Sequence, residues 1–119
     1  MDYKIEDDIF ITLVSFKSYG IKPFKLGSIV KLIKEPDNDY DCEAISVSLR
    51  FAGHSAYVAN SVETVIKGTM SAGRIYDKIL DEDYAQVKFI SRDSIIAKLL
   101  TNDEIDELRK DPENDLNFI

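Results

Sequence analysis

The chain has 119 residues, of which 45% are hydrophobic, and a formal net charge of −7. That length supports one domain with a single core, and no apolar run approaches the roughly 18 residues of a membrane-spanning helix. Cys42 is the one cysteine and His54 the one histidine, which excludes an internal disulfide and a tetrahedral zinc site built within the chain.

The start, Met1 to Asp8, is polar and acidic, without the basic and apolar regions of a signal peptide. The expected setting is soluble, reducing and cytoplasmic, with no membrane association. Ile9 to Phe16 is β-branched and aromatic and predicts a strand largely buried on both faces. Gly20 marks a turn, and Pro23 keeps Ile21–Leu26 out of a central ladder. A second strand is predicted over Ser28–Lys34. Pro36 and the Asp/Asn cluster Asp37-Asn38-Asp39 then turn the chain. In Ala44–Arg50, Ile45, Val47 and Leu49 share one face while Ser46, Ser48 and Arg50 share the other, the clearest period-two pattern in the chain. Phe51–His54 reads as a hairpin turn and Ser55–Ala59 as the returning strand.

Asn60 or Ser61 is placed to cap a short helix over Val62–Lys67, ended by Gly68. A further turn or helix is expected within Ser71–Ile79. Asp81-Glu82-Asp83 reads as a break before a strand at Tyr84–Ser91, and Ser94–Leu100 reads as the last strand. Thr101 and Glu104 form a capping-box pattern for a helix over about 102–110, which Pro112 terminates. Leu116, Phe118 and Ile119 could dock on the body or on a partner, or stay disordered. The tally predicts a mainly β protein, a small OB-like barrel of about six strands with one to three short helices. The expected division is a polar segment at 1–8, the barrel at 9–101 and an acidic helix and tail at 102–119.

Charge is uneven. Residues 102–119 carry seven acids and two bases, whereas Ile9–Lys34 has no acid and five lysines, Lys17, Lys22, Lys25, Lys31 and Lys34. A local positive face is compatible with an acidic whole. Catalytic signatures are missing: there is no phosphate loop, no dinucleotide fingerprint and no nucleophile elbow. His54 in a turn is the only imidazole, and Cys42, set between acids, reads as a small filler. The rhythm Asp37-x-Asp39-x-Asp41-x-Glu43 suggests calcium, but an EF-hand loop from Asp37 needs Gly and Glu where this chain has Cys42 and Ser48. A metal-dependent nuclease using Asp37, Asp39 and Asp41 lacks a base or lysine to complete it. No cofactor is expected.

The run Leu32-x-x-Glu35-Pro36-x-Asn38-x-Tyr40-Asp41-x-x-Ala44-Ile45-x-Val47 resembles the hallmark of the HIRAN domain, and the resemblance covers roughly residues 9–92. It implies a modified OB-like barrel with no catalysis, binding single-stranded DNA at a 3′-hydroxyl end. On that resemblance, Tyr40 stacks on the terminal base and Asp41 reads the terminal hydroxyl. Asn38 and Asp37 contact the end, and Tyr19 is a second stacking aromatic. Tyr57 takes a position often held by His, and Phe89 falls near an aromatic that wedges at a duplex junction. Lys17 and its neighbouring lysines would hold phosphates. The chain departs from the family at Ser18, where DNA-binding members carry Arg, and at Asp37 and Asp39, where they carry amides or proline. Both departures should weaken DNA affinity. The alternative partner is a protein, reached through residues 102–119.

Overall fold

The computed structural model describes residues 8–15, 21–92 and 94–119. Six strands, β1 (Phe10–Ser15), β2 (Ile29–Lys34), β3 (Ile45–Leu49), β4 (Gly53–Val58), β5 (Glu82–Ile90) and β6 (Ile95–Leu99), close into a barrel in the order β1-β4-β3-β2-β5-β6. Every neighbouring pair is antiparallel. The helices α1 (Ala72–Ile75) and α2 (Asn102–Arg109) are short, and 3-10 turns follow each, at Tyr76–Lys78 and Asp115–Phe118. The protein is therefore mainly β, with a closed barrel and few helices. Among the described residues no helix is long and apolar enough to cross a membrane.

Alternation builds the barrel interior. Ile11 and Leu13, Val30 and Leu32, Ile45 and Val47, and Ala85 and Val87 point inward from successive strands and are buried in one cluster. Two bulges, opposite Val47/Ser48 and between Val87 and Phe89, add the local twist that closure of so few strands requires. Ala72, Ile75 and Ile79 join the same core, so the α1 segment plugs one end of the barrel. It is tied there by Met70 N–H donating to Phe10 O and Ala72 N–H donating to Ala59 O.

Three local expectations are corrected. Val62–Lys67 forms turns rather than a helix. The Thr12 hydroxyl accepts the Ile66 N–H at 3.1 Å and meets the Thr69 hydroxyl at 2.8 Å, fixing this segment by tertiary bonds. Glu82 and Asp83 belong to β5 instead of breaking the chain. Glu82 pairs with Lys31, and the Asp83 carboxylate accepts the N–H groups of Leu80 and Tyr84. β1 is fully buried on one face, at Ile11 and Leu13, but on the other only Thr12 is buried, with Phe10 half-buried and Val14 40% exposed.

The C-terminal segment lies against the outside of the barrel. Thr101 and Glu104 form the reciprocal capping box, and Glu104 also receives Lys98 Nζ at 2.8 Å. Beyond α2, Leu116 is fully buried against Ile29 and Leu100, with Tyr84, Ile105, Leu108 and Ile119 around them. Arg50 holds the far end. Its guanidinium lies 3.6 Å from the Phe118 ring centre, 4.5 Å from that of Phe51, and 3.2 Å from Asp115.

Candidate functional site

The loop between β2 and β3 begins and ends at one backbone bond, Glu35 N–H to Ala44 O at 2.9 Å. Its shape follows from its own side chains. Asn38 Oδ1 accepts the N–H groups of Tyr40 and Asp41 at 2.9 and 3.1 Å, an Asx-type turn. Asp41 Oδ1 accepts Glu43 N–H at 2.9 Å, and Ala44 N–H returns to Asp41 O. The loop is thus held by the amide and acid that the sequence pattern singled out, while Tyr40 projects outward with 98% of its surface exposed.

Register brings β4 beside this loop. β4 ends at Val58 next to the start of β3, with Ser46 opposite Tyr57. Asn38, Tyr40, Asp41, Ala44, Tyr57 and Val58 consequently line one open groove of about 400 Å³. Its floor is aliphatic and aromatic, and its polar groups are an amide and a carboxylate. Tyr57 is oriented from two sides: its hydroxyl donates to Glu35 Oε1 at 3.0 Å, and His54 packs edge-on against its ring at 4.9 Å.

Glu35 is the hub that sequence reasoning missed. It accepts from Asn38 Nδ2 at 2.9 Å as well as from Tyr57, joining the loop to the barrel wall. Burial pushes its carboxyl up, but side-chain hydrogen bonds, led by those from Asn38 and Tyr57 and joined by Ser46, together with nearby His54 outweigh burial and hold its pKa below the ordinary value. Burial and the adjacent Glu35 push the Tyr57 phenol up, so Tyr57 remains a donor well into alkaline solution. The sequence signal for Glu35 is its fixed place in the run from Leu32 to Val47. Asn60 was also misread, as a helix cap. Its Nδ2 instead donates to Asp41 Oδ2 at 2.7 Å, and its Oδ1 accepts Gly73 N–H at 2.8 Å. Both Asp41 oxygens are therefore oriented, and each carboxylate oxygen retains a second lone pair for an incoming hydroxyl.

The other expected residues fall elsewhere. Asp37 is exposed on the loop but outside the groove lining. Phe89 lies on β5, which starts at the loop end of the barrel with Glu82 opposite Ile33. Seven residues on, Phe89 is displaced by about 23 Å along the strand. It is 59% exposed, with the Phe10 ring centre 6.3 Å away. Tyr19 and Lys17 lie outside the described residues. Cys42, expected as a filler, is exposed. Lys31 is paired with Glu82, and Lys34 lies 4.6 Å over the Tyr76 ring, so these two lysines do not present an open phosphate face. Among the described residues no group of three or more His, Cys, Asp or Glu side chains is placed to hold a metal ion. Comparison with protein-family models, curated proteins and solved structures finds no match.

Proposed function

We propose that this chain is a non-catalytic, HIRAN-like module that binds single-stranded DNA at a 3′-hydroxyl end. The observation that carries the reading is Tyr40, a fully presented ring at the mouth of an apolar groove whose oriented polar groups are Asn38 and Asp41. An exposed ring beside a second aromatic, Tyr57, is suited to stacking on a base. Asp41, held by Glu43 N–H and Asn60, is suited to accepting a hydrogen bond from a terminal hydroxyl. A terminal phosphate there would bring like charges together, which makes the end chemistry selective. The free Cys42 fits a reducing, cytoplasmic setting.

The test is fluorescence anisotropy with a short oligonucleotide ending in a 3′-hydroxyl or a 3′-phosphate. The hydroxyl form should bind more tightly. Tyr40→Ala should weaken it by about 1–3 kcal/mol, the worth of one stacked base, without changing the thermal midpoint. Equal affinity for both ends, or none for either, refutes the reading.

A further inference from the structure

The groove has an acid of its own and no base. Asp41 lines it, and Asp37 and Asp39 are exposed beside it. A strand bound there needs a cation for its phosphates. One stands on the other side of a single hydrogen bond. Asn60, which holds Asp41, also lines a second cavity of about 360 Å³ together with Ser61, Ser71 and Arg74. Arg74 is exposed, and among the described residues no carboxylate pairs with its side chain. Ser61 Oγ accepts Glu63 N–H and Ser71 Oγ accepts Arg74 N–H, which leaves both hydroxyl protons to donate.

We propose that this second cavity holds a backbone phosphate of the strand whose 3′ end occupies the Tyr40 groove, with Arg74 as its cation and Ser61 and Ser71 as hydroxyl donors. The inference rests on the DNA-end reading above. The Asp41–Asn60 bond is the shared wall, so a strand leaving the groove crosses Asn60 directly. The groove side of that wall carries Asp41 and the far side carries Arg74. The Glu43 carboxylate lies against α1 itself, where a Cβ on Gly73 would meet its Oε1 at 3.1 Å, so it belongs to neither lining. A phosphate is therefore repelled by Asp41 on the groove side and attracted by Arg74 on the other. The same charge arrangement that refuses a terminal phosphate accepts an internal one, and it fixes the direction in which the strand runs.

The experiment measures affinity for a short 3′-hydroxyl oligonucleotide over a range of salt. Arg74→Gln should flatten the log–log salt slope by about 0.7, so that a fourfold rise in salt weakens the wild type about 2.6-fold more than the variant. Arg74→Lys should keep the slope. A neutral methylphosphonate at the linkage next to the 3′ nucleotide should flatten it in the wild type. An unchanged slope in Arg74→Gln overturns the inference. A second arm uses inorganic phosphate alone, read by amide NMR shifts at Ser61, Ser71 and Arg74, which Arg74→Gln should abolish. Phosphate shifts without any DNA binding would remove the DNA-end reading and leave the anion site. DNA binding that depends on Tyr40 but not on Arg74 would do the reverse. If neither ligand binds, both fall; where the two arms disagree on Arg74, the salt slope decides.

Discussion

Leu116→Ala should lower stability by about 2–3 kcal/mol. The side chain is fully buried, between Ile29 of β2 and Leu100 after β6. Leu→Ala in deep cores costs about 2.7–5 kcal/mol, with the cost rising with the void left behind. Here the neighbours Tyr84, Ile105, Leu108 and Ile119 are only partly buried and can close in, which favours the lower end of that range. A chain of this length has a total stability of about 6–18 kcal/mol, so the loss is a substantial share. Urea unfolding followed by tyrosine fluorescence and far-ultraviolet dichroism should show a lower midpoint with an unchanged slope, because α2 and the final 3-10 turn unfold with the barrel. A change below about 1 kcal/mol, or two separate transitions, would refute the docking of residues 102–119 as part of the cooperative unit.

Thr101→Ala should cost about 1 kcal/mol by removing the side-chain half of the capping box, while Thr101→Ser should cost much less; chemical denaturation measures both. Tyr57→Phe deletes one of the side-chain donors on Glu35 and should move the Glu35 pKa up toward its ordinary value, read by carboxyl NMR titration. Because the folded pKa of Glu35 is depressed, its contribution to stability is present above the unfolded value and disappears as pH falls through the folded one, and Tyr57→Phe should shrink that acid-side loss. Asp83 has the opposite sign: burial raises its pKa despite the N–H groups of Tyr84 and Leu80 and the charge of Lys34. Stability should therefore fall as pH rises from the ordinary aspartate value through the folded one, and Asp83→Asn should remove that slope in urea midpoints taken from about pH 3 to about pH 7.

The strands with regular alternation were legible because their partners obey the same period. Ile45, Val47 and Leu49 face inward as read. The opposite face is not simply open to solvent: Ser46 is buried there and donates to Ile33 O. Glu82 and Asp83 were not legible as strand, because the β2 pairing that absorbs them lies about 50 residues away in sequence. The turn at residues 61–67 carries helix-compatible residues, but the Thr12 and Thr69 hydroxyls offered its backbone better bonds. Within the site, Asn38, Tyr40 and Asp41 could be picked out because they shape one local loop. Glu35 to Tyr57 and Asp41 to Asn60 are links between distant segments, visible only once the barrel sets β4 against the loop.

The closed barrel has a consequence for how any partner can be held. With β1 joined to both β4 and β6, none of the six described strands is an edge of the sheet. A partner cannot add as an extra strand, and the barrel itself is shielded from edge-to-edge association. Recognition has to be written in the rim loops, and the β2–β3 loop meets the rest of the molecule through a few side-chain bonds, Asn38 to Glu35 and Asn60 to Asp41. The β2–β3 loop leaves and rejoins the barrel at the Glu35–Ala44 bond, so residues 36–43 form a cassette on a hydrogen-bonded stem. Exchanging that cassette with Asn38 and Asp41 retained as its ties to Glu35 and Asn60 should redirect what the protein binds while the six strands beneath it go on folding as before.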